Sequence, residues 1–279
     1  MSCYSPRSIY GRAGPLLRAA ARKTVYNHHS CSGRVFSYNM LRPSSLAANG
    51  GLRRTSAEAA RETRYPLSGC GGASLKILCI SDRVESVLHG PNLTSYAAGV
   101  EAVIACGDLP FDYLEYIVTF LGVPVYYVLG NHDPGPDGPE YPGGCTPLDG
   151  QIVEAGGNAG GLVLAGLSGS PLYSGGPNQY TERQMRRRAR ALSRKIRYRS
   201  LLGRPKPWVF VTHSPPFGLG DREDQAHVGF ESFVDLIDRH EPPLWLHGHV
   251  HLYGPDQQRV VTRGETKVIN VFGHRIIDV

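Results

Sequence analysis

Two short apolar runs, each ending in glycine followed by polar side chains, constrain the fold of this chain more than any other feature. The first run is Ala102–Cys106 and leads into Gly107-Asp108; the second is Val123–Leu129 and leads into Gly130-Asn131-His132-Asp133. Short runs rich in β-branched and aromatic residues and closed by glycine are typical of buried strands in α/β sheets. Residues 113–121 between them are long enough for one crossover helix, so the stretch predicts a βαβ unit.

In such a sheet ligands bind beyond the carboxyl ends of the strands, which is where Asp108, Asn131 and His132 fall. A carboxylate, an amide oxygen and an imidazole at one sheet edge suit a divalent metal. Taken singly, an Asp or an Asn at such a position is more simply interpreted as a helix or turn cap. The metal interpretation therefore depends on whether the pattern recurs elsewhere in the chain.

The pattern recurs at the ends of three further predicted strands. Residues 75–80 lead into Asp82, residues 208–212 lead into His213, and residues 244–246 lead into His247-Gly248-His249-Val250-His251. Alternating histidines on an extended segment place His249 and His251 on the same face. Each buried imidazole needs a hydrogen-bond partner, so histidines spaced two apart after a buried strand are difficult to explain as core residues. Together these residues favour a metal site.

The rest of the chain predicts flanking helices and strands. Thr181 is a candidate cap for an amphipathic helix with an apolar stripe at Met185, Ala189, Leu192 and Ile196. Nine Lys or Arg lie between Arg183 and Arg199; a solvated helix face is favoured, and a surface facing phosphate or RNA stays open. We also expect strands at 151–154 and 162–167, a helix at 230–239, a surface loop at 134–147 and a closing hairpin formed by 266–270 and 273–279.

The excess of basic residues is confined to the first quarter of the chain. Residues 1–74 hold 11 Lys and Arg against 2 Asp and Glu, whereas the other residues hold 19 against 22. We expect residues 1–74 to be disordered, as a dispensable extension from an early start codon, a transit peptide or a basic arm for nucleic acid. The folded domain is then residues 75–279. The six cysteines form no CxxC pair, which indicates a reducing compartment.

The chain resembles the calcineurin-like metallophosphoesterase superfamily in the order and spacing of its strand-end residues. These are Asp82, Asp108, Asn131-His132-Asp133, His213 and Gly248-His249-Val250-His251. The blocks of that family are Asp-x-His, Gly-Asp, Gly-Asn-His-Asp/Glu, a lone His and Gly-His-x-His. The resemblance covers residues from about 75 onward. It implies an α/β fold, a four-layer αββα sandwich of two mixed sheets flanked by helices, with a two-metal centre.

The resemblance also implies a role for each matching residue. Asp108 would bridge both metals; Asn131, His213 and His249 would complete one site, and Asp82 and His251 would belong to the other. His132 would bind no metal and would polarise the substrate phosphate or protonate the leaving oxygen. Asp133 and His227 are further candidates for contacts with the substrate or with the metal ligands.

The first block departs from the family pattern. The chain has Asp82-Arg83-Val84 where the family has Asp-x-His, and Val84 offers no ligand atom. Glu85 is a candidate replacement, and a carboxylate there would favour a harder metal such as Mn or Mg. Otherwise waters would complete a weaker site. Arg83 is a candidate phosphate contact.

The resemblance implies a metal-dependent phosphoesterase that hydrolyses a phosphate mono- or diester by attack of a metal-bridging hydroxide. Its cofactors would be two divalent ions, with Mn, Fe, Zn and Mg all open. The alternative is a non-catalytic phosphoesterase-like module that binds a partner or a nucleotide through a degraded metal centre. We expect a phosphate-ester substrate, no membrane span, and a cytoplasmic protein, or an organellar one if residues 1–74 are a transit peptide. Nucleic acid is not favoured as a partner.

Overall fold

Strands with buried side chains on both faces form the middle of the first sheet, as their continuous apolar runs predict. The computed structural model of the protein describes residues 63–64, 75–135, 141–156, 159, 161–254 and 257–279. In spatial order the strands are β1 (Thr63–Arg64), β14 (Gly273–Asp278), β2 (Lys76–Ser81), β3 (Ala102–Ala105), β4 (Val125–Tyr127) and β5 (Cys145–Pro147). Neighbours are parallel except β14 and β2, which are antiparallel with Gly273 opposite Ser81.

The second sheet also has six strands. Their order is β12 (Val260–Arg263), β13 (Thr266–Asn270), β11 (Leu244–His247), β10 (Val209–Thr212), β7 (Val163–Leu167) and β6 (Ile152–Glu154). The four inner strands are parallel, and β12 and β6 pair antiparallel at the two edges. A short parallel pair, β8 (Ser170–Pro171) and β9 (Gln179–Tyr180), lies outside both sheets.

Four helices connect and cover the strands in the part of the chain that is described. They are α1 (Leu93–Tyr96), α2 (Phe111–Leu121), α3 (Glu182–Leu201) and α4 (Glu231–His240). Thr181 caps α3 as predicted: its hydroxyl accepts from the Gln184 amide, and the Gln184 side chain accepts from the Thr181 amide in return. None of the described helices combines the length and the apolar character needed to cross a membrane.

Alternation along the strands separates three apolar clusters. In β2, Ile77 and Cys79 face the second sheet, whereas Leu78 and Ile80 pack against the cluster that includes α2. On the other side, the stripe of α3 packs with Phe233 of α4 and with Phe210 and Trp245 of the second sheet. The layers are therefore helix, sheet, sheet, helix, which confirms the predicted αββα sandwich.

The closing hairpin expected at 266–270 and 273–279 is wrong. Strand β13 belongs to the second sheet and β14 to the first, so the chain crosses between sheets at Val271-Phe272. These two residues are bulky and apolar and lack the conformational freedom that a hairpin turn requires. The hairpin turn in this region is formed instead by Gly264-Glu265, between β12 and β13.

Two further elements differ from the expectations. Within the stretch 134–147 expected as a loop, Cys145–Pro147 pairs with β4 as an edge strand. Upstream of residue 75, Thr63–Arg64 pairs with Ile277 and Asp278. The remainder of 1–74, where we expected disorder, lies outside the described residues.

Candidate metal centre

The polar residues that end the strands meet where the carboxyl ends of the two sheets face each other. Asp82, Asp108 and Asn131 follow β2, β3 and β4, and His213 and His249 follow β10 and β11. Asp82, Asp108 and His249 have positive φ angles of 64°, 56° and 65°. Such a conformation costs non-glycine residues about 1–3 kcal/mol and is concentrated at functional sites.

Donor atoms from both sheets converge on Nε2 of His213. This nitrogen lies 3.1 Å from Oδ1 of Asn131, 3.3 Å from Oδ2 of Asp108 and 3.1 Å from Nδ1 of His249. The ligand atoms of Asp108, His213 and His249 all lie within 4.8 Å of one another. The structure therefore brings together four of the six residues that the resemblance implied as metal ligands.

Each of these side chains is oriented by a second contact that points away from the cluster. Nδ1 of His213 bonds to the Cys106 carbonyl at 2.8 Å, and Nε2 of His249 bonds to the Ala226 carbonyl at 2.7 Å. A carbonyl oxygen only accepts, so both outer nitrogens carry hydrogen. In a neutral ring each inner nitrogen then presents a lone pair, which is how outer partners orient metal-binding histidines.

The amide of Asn131 is oriented in the same way. Its Nδ2 donates to the Tyr173 hydroxyl at 2.9 Å, which leaves Oδ1 directed at His213. Sequence reasoning missed Tyr173 and the Ala226 carbonyl, because both come from loops whose path the local pattern does not determine.

The pKa shifts show that the cluster favours one positive charge. Burial would raise the pKa of Asp108, but the charge and hydrogen bond of His213 lower it to about 2. Burial would lower the pKa of His213, but Asp108 raises it to about 9. Burial, and then the charge of His213, lower the pKa of His249 to about 3. A divalent cation would satisfy the oxygens and both inner nitrogens together, so this donor set fits a metal.

Asp133 organises the backbone under the cluster. Its Oδ2 accepts from the amides of Asp108 and Gly130 at 2.8 and 2.7 Å, and its Oδ1 accepts from the Leu109 amide at 3.1 Å. A Cβ atom at Gly130 would lie 2.0 Å from Oδ1 of Asp108, so only glycine permits this close approach. The structure thus places Asp133 as a support for Asp108.

Asp82 and His251 lie beside this cluster. Both carboxylate oxygens of Asp82 accept from the His249 amide at 3.0 and 3.1 Å. Nε2 of His251 lies 3.7 Å from Oδ1 of Asp82, and its side chain is 42% exposed. Its Nδ1 contacts the Tyr253 hydroxyl at 2.8 Å, and its ring stacks on Phe272.

The structure does not bring Glu85 to the cluster. Its Oε1 accepts from Nε and Nη2 of Arg83 at 2.7 and 2.5 Å and lies 3.8 Å from Nδ1 of His274. The Arg83 guanidinium also lies over the Phe272 ring, 5.6 Å from its centroid. Val84 is exposed. The position of the missing histidine therefore has no replacement ligand among the neighbours that the sequence suggested.

His132 and His227 lie at the edge of this cluster of candidate ligands. The ring of His132 is exposed, while its amide donates to Oδ1 of Asp108 at 2.8 Å. A cavity of 480 Å³ opens here, lined by Asp108, Leu109, Pro110, Phe111, Asp112, His132, Asp133 and Pro134. The ring of His227 lies 5.1 Å from that of His249, and its Nδ1 bonds to Oδ1 of Asp224 at 2.7 Å.

The αββα sandwich with Asp, Asn and His at the facing strand ends is the arrangement that the resemblance implied for this family. The model of the calcineurin-like phosphoesterase family matches residues 87–253. The chain belongs to this family. The match begins after Asp82 and Val84, so the departing first block lies outside it.

Among the solved structures that are similar to this chain, one has a TM-score above 0.5 and shows the same fold. One crystal structure, 17% identical, has a TM-score of 0.53 and covers 74% of this chain and 95% of the other. The protein TT1561 of Thermus thermophilus is 16% identical, with a TM-score of 0.49 and coverage of 72% and 90%. Vacuolar Protein Sorting 29 from Cryptosporidium parvum is 15% identical, with a TM-score of 0.35 and coverage of 71% and 74%. No curated protein matches the chain.

Proposed function

We propose that this protein hydrolyses phosphate mono- or diesters with divalent metal ions. Asp108, Asn131, His213 and His249 would hold one ion, Asp82 and His251 would contribute to a second, and Asp108 would touch both. The observation that carries the proposal is the pair of inner imidazole nitrogens 3.1 Å apart. Their outer nitrogens are committed to backbone carbonyls, so both inner nitrogens point to one place, where a divalent cation would replace the proton that Nε2 of His213 otherwise donates to Nδ1 of His249.

When bound, divalent ions would neutralise the phosphoryl oxygens and activate water as the nucleophile. The protein supplies a fixed frame for this chemistry. The backbone around Asp108 is held by the two oxygens of Asp133, so its carboxylate keeps its position without reorganisation as charge develops on the substrate.

His132 is the proposed proton donor to the leaving oxygen. Its amide is fixed on Asp108, while its exposed ring borders the cavity of 480 Å³. That cavity would receive the ester group next to the phosphate. General acid catalysis of this kind contributes roughly 10²- to 10⁴-fold to a rate.

The rival function is a non-catalytic module that binds a partner or a nucleotide. Two observations favour it: Val84 at the position of the family histidine, and the engagement of Glu85 with Arg83 and His274. The intact Asn131-His132 pair argues against it, because a scaffold has little use for a histidine that binds no metal.

A hydrolysis panel separates the two functions. Purified protein is loaded with Mn, Mg, Zn or Fe and assayed on a generic aryl monoester and the corresponding diester, with Asp108→Asn as the control. We expect metal-dependent turnover that Asp108→Asn abolishes. Metal binding without turnover on any substrate would favour the module, and absence of metal binding would overturn both.

We further propose that residues 75–279 form the catalytic domain and that the protein is cytoplasmic. A chain that begins at Ser74 retains every site residue and should match the full chain in turnover, and a chain that begins at Arg53, which also retains β1, is the control. Loss of turnover in the shorter chain alone would show that residues 53–73 belong to the catalytic domain.

A further inference from the structure

Helices α3 and α4 enclose a basic groove on the outer side of the second sheet. The groove has a volume of 320 Å³ and is lined by Arg186, Arg190, Arg194 and Arg197 of α3 and by Ser232 and Arg239 of α4, among others. We call these six residues the arginine groove. None of them belongs to the candidate metal centre.

The two flanks of α3 differ in how their charges are balanced. On the flank facing β6, Arg188 pairs with Asp149 at 2.5 Å, Lys195 donates to the Gly150 carbonyl at 2.7 Å, and Arg199 pairs with Glu154. In the groove, Arg186 pairs with Glu182 and Glu231. The other four arginines form no ion pair within the described part of the chain.

This arrangement concentrates like charges. Arg186, Arg190 and Arg194 are spaced four residues apart, which places them side by side on the helix, where like charges repel. Asp235 is the one acidic residue among the described residues that line the groove. A bound anion would relieve this repulsion.

A second observation points to a ligand. Ser232 lines the groove, and its buried hydroxyl has no hydrogen-bond partner among the described residues; the buried Nε of Arg186, another lining residue, likewise has none. The Ser232 side chain as a whole is 1% exposed. Buried polar groups in proteins nearly always have partners, so these atoms need an acceptor that the described chain does not provide.

The groove is longer than a single phosphate requires. A neighbouring cavity of 350 Å³ shares Arg197 and Arg239 with it and adds Lys206. Leu201, which also lines this second cavity, is 84% exposed. A ligand that follows both cavities would meet cationic side chains along its whole length.

We propose that the arginine groove is a second anion site that binds a ligand carrying several phosphate groups. Guanidinium groups bind phosphate oxygens in pairs, and the Ser232 hydroxyl would donate to another oxygen. The phosphates are supplied either by a free polyphosphate or by the headgroups of an anionic lipid. The site lies outside the proposed catalytic centre and does not depend on hydrolysis.

The test uses the full chain and calorimetric titration with inorganic tripolyphosphate. In Arg194→Gln/Arg197→Gln we expect the affinity to fall by at least about tenfold. The matched control is Arg183→Gln/Arg187→Gln, which removes the same charge from exposed positions of the same helix outside the groove. It should change the affinity by less than about twofold.

Thermal unfolding gives an independent readout. Tripolyphosphate should raise the Tm of the wild type and of the control, but not that of the groove variant. Without ligand, the groove variant should be at least as stable as the wild type, because a repulsive contact has been removed. Ser232→Ala should also weaken binding while leaving the ligand-free Tm unchanged, since its hydroxyl has no partner to lose.

A parallel flotation assay uses vesicles of phosphatidylcholine with and without phosphatidylinositol phosphates. Binding to either probe that depends on Arg194 and Arg197 supports the proposal, and the probe with the higher affinity identifies the source of the phosphates. An equal loss of affinity in the groove and control variants would overturn the proposal, because the ligand would then respond to the overall positive charge of the helix rather than to the groove. If neither variant loses affinity, the ligand binds elsewhere and the proposal is wrong. If the protein prefers short single-stranded RNA to both probes, the ligand is a nucleic acid and not a polyphosphate or a lipid headgroup.

Discussion

The two halves of the candidate metal centre differ in how firmly the protein orients their side chains. The inner half is Asp108, Asn131, His213 and His249; the outer half is Asp82, His251 and the position of Val84. Every imidazole and amide of the inner half has a second hydrogen bond that fixes its orientation. In the outer half His251 is half-exposed and its partner is the exposed Tyr253.

This difference indicates which half of the centre can bind a cation more tightly. Buried ligands that already point inward lose little conformational entropy when an ion binds, whereas an exposed histidine must be ordered at that moment. We therefore expect a tight inner site and a weak outer site.

Removal of an inner histidine should have the largest effect. His249→Ala should lose most bound metal and reduce turnover by more than the roughly 10- to 100-fold typical of an outer partner. His251→Ala should retain about one metal ion per chain. Elemental analysis and turnover check both, and equal losses in the two variants would refute the distinction between the halves.

His132→Ala should reduce turnover by roughly 10²-fold or more at unchanged metal content and Tm. Its ring binds no metal in this scheme, so neither half of the centre should be disturbed. The loss should be largest for esters with poor leaving groups, because an activated leaving group needs no proton. If the variant instead loses metal while activity per bound ion persists, His132 is a ligand.

Val84→His restores the family pattern and should strengthen the outer half. An added imidazole is expected to raise the affinity for the weaker ion by at least about tenfold. Val84→Leu, which offers no ligand atom, is the control. Calorimetry that finds both variants indistinguishable would show that the outer half is limited by something other than the missing ligand.

Tyr173→Phe should have the smallest effect. It frees the Asn131 amide to rotate, and the expected loss of metal affinity is about tenfold, the lower end for an outer partner. Tyr113→Phe is the control, because its hydroxyl is buried without a partner among the described residues. A similar loss of affinity in both variants would indicate a general effect on the fold.

The strand-end pattern predicted an α/β sheet with a metal site at its edge, and the family resemblance carried by the same residues implied the sandwich. Asp108 and His213 are distant in sequence, yet each follows a buried strand, and the order of the strands in the two sheets brings these strand ends together. What local patterns did not indicate are contacts made by irregular segments: Tyr173 on Asn131, Ala226 on His249 and His274 near Glu85. The exchange of sheets at Val271-Phe272 was also missed, because a strand does not reveal its partners in its own sequence.

The position of β14 has a consequence for how the protein folds during synthesis. This strand pairs with β2 although roughly 190 residues separate them along the chain. Until it is made, β2 has an open edge, and pairing over such a distance is slow because loop closure comes before any gain in contacts. The Asp82 end of the centre, which also needs the His249 amide, can therefore only be completed after these distant parts of the chain have joined β2.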